Sequence, residues 1–274
     1  NPTLADVAKR YDADGKIDTI VELLSETNEV LEDMTFLEGN LPTGHKTTVR
    51  SGLPSSTWRK LNYGVQPSKS TTVQITDTTG MLEAYAEVDK ALADLNGNTA
   101  SFRLSEDRAF LESMNQTMAN TLFYGDTGTD PEKFMGLSSR YSSTSAESGD
   151  NIIVGGGSGS DNTSIWLVCW GPNTCHGIYP KGSQAGLNHQ DLGEVTLEDA
   201  ANGKYQGYRT HYKWDIGMSV RDWRYIVRIP NIDVSNLTKD ASGSSAALVD
   251  LMVQAGEKLP NVNLGRFVFY GKLT

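Results

Sequence analysis

The residues whose types suit catalysis or metal binding are spaced unlike any familiar site. Asp12, Asp14 and Gly15 begin like a calcium-binding loop, but Leu23 stands at the twelfth position, where a bidentate glutamate belongs. Residues 155–160 read Gly-Gly-Gly-Ser-Gly-Ser after an apolar run. They lack the Gly-Lys-Ser/Thr ending of a phosphate-binding loop and the final Gly of a nucleophile elbow. We therefore predict neither a calcium site nor a phosphate-binding loop here.

The thiols and imidazoles form a second candidate set: Cys169, Cys175, His176, His189 and His211. Their spacing matches no common zinc-binding pair, so we expect buried thiols and surface histidines instead. No Ser/His/Asp or Cys/His arrangement stands out by spacing. We predict no catalytic residue, no metal and no cofactor. A hydrolase with an unrecognised site stays open as an alternative, as does a glycan-binding module that uses exposed Trp and Tyr.

The composition is that of a soluble globular protein, with 274 residues, 38% hydrophobic and 21% charged. Two cysteines do not make a disulfide framework, so we expect a reducing, intracellular origin. No run of about 18 apolar residues is present, and we expect no membrane partner. The net charge of −10 argues against tight binding of nucleic acid, which depends on neutralising phosphates.

The charge is unevenly distributed. From Gly39 to Thr76 there is no Asp or Glu, while five basic residues give this stretch +5 and leave −15 to the remainder. The stretch is β-prone, punctuated by Gly and Pro, and poor in large apolar residues. We predict an extended arm that docks on an acidic surface of another copy. The candidate docking residues are Lys46, Arg50, Trp58, Arg59, Lys60 and Lys69, and the acidic candidates are Glu29, Glu32, Asp33, Glu83 and Glu87.

Hydrophobic periodicity predicts the surrounding elements. Helices are expected over Ile17–Met34, Met81–Leu95, about 99–124, and from Ser244 through Leu259; strands are expected over Ile165–Trp170 and Phe267–Tyr270; and Tyr208–Ile229 reads as a long β-hairpin turning near Gly217. The helix over 99–124 carries an apolar stripe and would span about 40 Å. Gly125 is expected to end it in the left-handed conformation, and mainly loop should follow to residue 159.

This order of elements resembles the Hong Kong 97-type fold of tailed-phage major capsid proteins. The clearest local match is Leu122-Phe-Tyr-Gly-Asp-Thr-Gly-Thr-Asp-Pro-Glu-Lys-Phe-Met-Gly-Leu137, because spine helices of this family often end in a Gly-Asp-Gly-type loop with a Pro and a later Gly-Leu. Residues 38–45, 57–65, 164–173 and 207–214 resemble one branch of these proteins. The likeness covers essentially the whole chain.

The resemblance implies an α+β fold with four parts. Residues 1–38 would be the N-arm and 39–80 the E-loop, an extended hairpin. Residues 81–150 would form the P-domain with the spine helix, completed by the hairpin in 204–235. Residues 151–203 and 236–274 would form the A-domain. Proteins of this branch tend to continue past the equivalent of Thr274, so we expect this copy to be shortened or to lack its end.

The resemblance also implies a structural rather than an enzymatic function. Hexamers and pentamers would assemble into an icosahedral shell in the cytoplasm of the bacterial host, enclosing double-stranded DNA without sequence-specific contacts. Portal, scaffold and cement proteins would be further partners. Some relatives form a Lys–Asn crosslink, but no acceptor motif accompanies Lys60 or Lys69, and we expect none here. A tail or decoration subunit is the alternative within phage proteins, and the long spine helix counts against it.

Overall fold

The computed structural model describes residues 29–95, 97–234 and 248–271. Its helices are α1 (Val30–Asp33), α2 (Lys90–Ala93), α3 (Thr99–Tyr124), α4 (Leu137–Arg140) and α5 (Leu248–Glu257); its strands are β1 (Phe36–Glu38), β2 (Gly44–Gly52), β3 (Thr71–Asp89), β4 (Asn162–Trp170), β5 (Cys175–Tyr179), β6 (Leu187–Glu198), β7 (Lys204–Val220), β8 (Ile226–Asp233) and β9 (Arg266–Gly271). Short 3-10 turns cover Glu147–Asn151 and Trp223–Tyr225. The mixed α+β class is confirmed, and the proposed domain boundaries stay a prediction.

Strand β7 is the centre of the sheet. It pairs antiparallel with β3 along one edge and with β6 along the other, and its last residues pair with β5. The sheet continues from β5 to β4, and β4 pairs with both β8 and β9. Strand β1 joins parallel to β5. Strands from the early part of the chain (β1–β3) and from the later part (β4–β9) therefore form one sheet.

Strand β3 pairs with two different strands along its length. Its first part pairs with β2, from Gly44↔Thr78 to Gly52↔Thr71, which confirms the predicted extended hairpin. Its second part pairs with β7, from Thr79↔Gly217 to Asp89↔Gly207. At about 3.4 Å per residue, its 19 residues span roughly 65 Å.

The helix predicted over Met81–Leu95 is wrong. Residues 81–89 are strand, and only Lys90–Ala93 is helical, with the Asp89 side chain accepting a hydrogen bond from the amide of Ala91. Buried and exposed positions alternate here: Ala86 and Val88 are buried, whereas Met81 and Tyr85 are exposed. Continuous pairing with β7 outweighs the helical propensity of this alanine-rich segment.

The spine helix is confirmed as α3, over Thr99–Tyr124. It packs on the β3–β7 sheet through Met114 and Tyr212, and Arg103 forms an ion pair with Asp191 of β6 at 2.6 Å. Burial and, to a smaller extent, the nearby Asp107 carboxylate raise the pKa of Tyr212 to about 12. The helix is thus fixed to the sheet by both apolar and polar contacts.

The conformation expected for Gly125 is wrong. Its φ of −58° and ψ of 135° are extended, not left-handed. A Cβ at this position would lie 2.4 Å from the carbonyl oxygen of Phe134 and 2.6 Å from that of Thr121. Close approach of the following loop therefore requires glycine here. That loop includes the short helix Leu137–Arg140.

The hairpin predicted over Tyr208–Ile229 is also wrong in its pairing. Both strands are present as β7 and β8, but β5 and β4 lie between them in the sheet. Gly217 is not near a turn: it lies within β7, where a Cβ would approach the Thr78 carbonyl oxygen to 2.6 Å. Period-two alternation predicted two half-buried strands without specifying their partners.

The remaining predicted strands and helices have different outcomes. The strands over Ile165–Trp170 and Phe267–Tyr270 are confirmed as β4 and β9. The last helix is present over Leu248–Glu257, while its expected start at Ser244 lies outside the described residues. The helix over Ile17–Met34 and the Asp12 loop fall mostly outside them too, and Val30–Asp33 is helical.

The main core lies between the sheet and the segment that follows the spine helix. It contains Leu122, Leu137, Tyr141, Trp166 and Ile226, all at most 2% exposed. Within residues 29–95, 97–234 and 248–271, no helix combines the length and apolarity needed to cross a bilayer.

Candidate assembly surface

The largest exposed feature is the hairpin that projects from the sheet. We call residues 44–78 the arm, and the loop between its strands, residues 53–70, the tip. All tip residues except Ser70 are exposed. Trp58 is fully exposed, and Leu53 and Leu61 are 82% and 86% exposed. Large apolar side chains at such exposure are typical of interaction surfaces rather than of a solvated loop.

All six predicted docking residues lie on the arm and all are exposed. Lys46 and Arg50 stand on β2, whereas Trp58, Arg59, Lys60 and Lys69 are in the tip. The backbone around Lys46 is held by Asn40, whose side-chain oxygen accepts from the Lys46 amide at 2.7 Å and whose amide donates to the Lys46 carbonyl at 2.8 Å. Their contact with another copy stays a prediction.

The predicted acidic residues are in different environments. The Asp33 carboxylate is buried, pairs with Arg266 at 2.6 Å and accepts a hydrogen bond from the Tyr270 hydroxyl at 2.7 Å. It therefore joins α1 to β9 and is not an exposed docking group, contrary to the expectation for this residue. Glu29 and Glu32 are exposed at the same end of the chain.

Glu83 and Glu87 face basic side chains of their own chain. Glu87 pairs with Arg209 at 2.5 Å, and Glu83 lies 3.3 Å from His211 and 3.8 Å from Lys213. All five side chains occupy one face of the β3–β7 pair. Ion pairing within the chain leaves less charge on this face for an incoming basic arm than the sequence suggested.

A buried polar group stands where β3 separates from β7. Arg140 donates to the Asp77 carboxylate at 2.7 Å and to the Met218 carbonyl at 3.3 Å, while the Ser219 hydroxyl donates to the other Asp77 oxygen at 2.8 Å. Asp77 is 4% exposed. The pairing of β3 with β7 begins only at Thr79, after Asp77. These side chains therefore form hydrogen bonds in place of the backbone bonds that a longer β3–β7 ladder would have made. Sequence reasoning missed this group.

The thiol and imidazole candidates differ in their burial. Cys169 and Cys175 are buried and free, as expected, and burial raises the pKa of both. The expectation of a surface histidine is wrong for His176, which is fully buried. In the part of the chain that the structure describes, no three His, Cys, Asp or Glu side chains form a group able to hold a metal ion.

Comparisons with known proteins agree on one class. A family model described as major capsid protein GP7 matches residues 12–274. A chain of the cryo-EM structure of bacteriophage Epsilon15 is 40% identical, with a TM-score of 0.74, covering 98% of this chain and 82% of that one. No curated protein sequence matches.

More distant structures share the fold alone. They include the SrpI encapsulin of Synechococcus elongatus PCC 7942, with 12% identity, a TM-score of 0.54, and 85% and 98% of the two chains covered. The capsid of a native GTA particle gives 11% identity, a TM-score of 0.52, and coverage of 84% and 98%. The projecting arm, the spine helix and the mixed sheet thus define the Hong Kong 97-like fold.

Within that class, the extent of the family match and the identity to the Epsilon15 chain decide the assignment. The chain belongs to the family of major capsid protein GP7 and is a tailed-phage capsid shell protein.

Proposed function

We propose that copies of this chain assemble as hexamers and pentamers into an icosahedral shell around double-stranded DNA, and that the arm holds neighbouring copies. The observation that carries this proposal is the arm itself. It extends about 30 Å along β2, has no acidic residue before Asp77, and exposes Trp58 and Leu61. A segment with so little to bury within its own chain needs a surface elsewhere.

Charge favours a second copy as that surface. The arm is basic, and the remainder of the chain is acidic by a wide margin. Opposite charges guide the encounter of two copies and the position in which the arm docks, although each exposed ion pair adds little affinity. Glu29 and Glu32 are the better acceptors among the predicted acids, since Asp33, Glu83 and Glu87 have partners within the chain. Many weak contacts in a closed shell act together through avidity.

The acidic remainder suits a wall around DNA that does not hold it. Neutralising phosphates is the main source of nucleic-acid affinity, and a net charge of −10 opposes it. We expect the unassembled subunit to bind duplex DNA weakly and without sequence preference at physiological salt. A gel-shift titration with unrelated duplexes tests this, and tight or sequence-dependent binding contradicts it.

Charge reversal of the arm tests the docking role. The variant Arg50→Glu/Arg59→Glu/Lys60→Glu should stay folded and monomeric, because these side chains are exposed. The control Arg108→Glu/Lys181→Glu/Lys204→Glu reverses exposed cations outside the arm and changes the net charge equally.

Negative-stain electron microscopy and size-exclusion chromatography then compare the two variants with the wild type. We expect particles from the wild type and the control but not from the arm variant. Normal particles from the arm variant contradict docking by charge, and loss of particles in both variants assigns the effect to net charge.

The finer cellular setting follows from the same role. Assembly takes place in the host cytoplasm, with a scaffold during assembly, a portal at one vertex and cement proteins on the finished shell, and the subunit has no catalytic task. Membership of a structural capsid family supports this. Co-expression with candidate scaffold and portal genes, followed by microscopy, tests whether uniform particles require them.

A further inference from the structure

Two histidines face each other at the base of the arm. His45 on β2 is the cross-strand partner of Asp77 on β3, and His176 on β5 is the cross-strand partner of Ser219 on β7. The two imidazole rings lie 5.9 Å apart in an edge-to-face arrangement. The Ser219 hydroxyl donates to Asp77, which links the two strand pairs. These four side chains and Arg140 are called the arm root below.

Three buried ring nitrogens of the arm-root histidines have no hydrogen-bond partner of good geometry among the described residues. His176 is fully buried, and neither of its ring nitrogens has a partner among the described residues. The same holds for Nδ1 of His45. A buried imidazole without partners is stable only when uncharged, because a buried cation needs a compensating group.

The electrostatic surroundings strengthen this preference. Burial, with smaller contributions from His45 and Arg221, lowers the pKa of His176 to about 4, against smaller opposing effects of Asp77 and the Gly171 backbone. Burial and Arg221 also lower the pKa of His45, against a smaller opposing effect of Asp77. Both rings are therefore neutral in the closed state, in which β2 packs on β5.

We propose that the arm root is an acid-operated hinge: uncharged His45 and His176 pack together and fix the angle of the arm, and their protonation separates β2 from β5 and lets the arm swing. This inference rests on the proposed function in one respect, since the angle of the arm decides how it meets a neighbouring copy.

The charges facing the pair explain why protonation opens the seam. Arg221 after β7 is a cation already and lowers the pKa of both imidazoles, whereas Asp77 from β3 is the one carboxylate among the groups named above that raises them. Asp77 is also committed to Arg140 and Ser219. Two further cations meet net repulsion here, and an imidazolium regains hydration only if β2 moves away from β5.

Hydrogen exchange of the unassembled, full-length subunit tests the hinge. Because the open state regains the ordinary pKa of 6.5 while the closed state holds the pKa of His176 near 4, the open population should rise roughly 50-fold between pH 7 and about pH 4.5. After correction for intrinsic rates, peptides covering Gly39 and Lys181 should exchange faster by that factor, because their amides donate to the Tyr179 and Leu41 carbonyls between the residues leading into β2 and those of and after β5. Peptides of β4 and β8 should not change.

The four histidines of the chain supply matched variants. His45→Phe/His176→Phe keeps aromatic packing without a titratable group and should abolish the acid response of the arm. His189→Phe/His211→Phe removes the two histidines outside the arm root and should leave the response intact. A response that survives in the first variant, or is absent from the wild type, overturns the inference.

A second measurement keeps the test decisive if the first variant does not fold. Proton NMR titration of the wild-type imidazoles should show one ring that stays neutral well below pH 6 and whose titration coincides with the faster exchange of the Gly39 and Lys181 amides. Four histidines titrating near the ordinary value refute the hinge. Neither experiment uses particles, so a failure to form shells would count against the proposed function and leave the hinge to be judged separately.

Discussion

The ion pair between Asp77 and Arg140 should stabilise the subunit far more than a surface pair would. The two groups are 2.7 Å apart, and their side chains are 4% and 15% exposed. Removing one partner of a buried pair costs roughly 3–5 kcal/mol, because the other charge is left uncompensated. Asn at position 77 keeps the shape and one acceptor oxygen, so we expect Asp77→Asn to lower the free energy of unfolding by ~3 kcal/mol.

Arg140→Met should have a comparable effect for a different reason. It leaves the Asp77 carboxylate buried with only the Ser219 hydroxyl as a donor, and one hydrogen bond offsets only ~1 kcal/mol. The double variant Asp77→Asn/Arg140→Met has neither charge. It should therefore be less destabilised than the sum of the two single variants, with an interaction energy of ~2 kcal/mol.

Equilibrium unfolding in urea, followed by tryptophan fluorescence on the unassembled subunit, measures all four proteins. The exposed pair Lys204–Glu198, with side chains 69% and 56% exposed, gives a control cycle in which no coupling is expected. Strictly additive effects at Asp77 and Arg140 would refute the reasoning, because they would mean that the two charges do not stabilise each other. Equal coupling in the control cycle would do the same.

Three further predictions concern single sites in the same unassembled subunit. Because the pKa of His176 is lowered from 6.5 to about 4, the unfolded chain binds a proton that the native chain does not; urea titrations should show stability falling by up to ~3 kcal/mol as the pH drops through this window, but not in His176→Phe. Cys175, buried with a raised pKa, should resist alkylation until denaturant is added, as mass spectrometry can show; rapid native labelling contradicts this. Gly44→Ala places a Cβ 2.1 Å from the Asp77 carbonyl oxygen and should lower the melting temperature, whereas Gly64→Ala, with nothing within 4 Å, should not.

Local pattern carried the sequence predictions as far as element type and no further. Alternation located β7 and β8, and the apolar stripe located α3, because both signals depend on neighbouring residues. The absence of acidic residues from Gly39 to Thr76, together with five basic residues, indicated an exposed arm, because unpaired charged side chains are rarely buried in a core. The error over 81–89 arose because a strand with small residues has helical propensity until it pairs.

The polar groups that matter to the arm could not be predicted in the same way. Asp77 is separated from Arg140 by 63 positions and from Ser219 by 142, so no spacing rule joins them. Glu32 and Asp33 show the same limit at close range. They are adjacent acids in one helical turn, yet the first is exposed and the second is buried against Arg266. They differ only in which side of helix α1 they occupy: Asp33 is on the side that faces β9, and Glu32 is not.

The geometry of the arm explains why its root should be held so firmly. Side chains pack when their surfaces approach within about 1 Å, so a docking arm has to deliver its tip with similar accuracy. Over the ~30 Å of β2, a rotation of about 2° at the root already moves the tip by ~1 Å. Exposed ion pairs do not fix a strand to that accuracy, because long side chains rearrange at little free-energy cost. A buried carboxylate held by Arg140 and Ser219 does, and the same burial is what makes the adjoining histidines sensitive to acid.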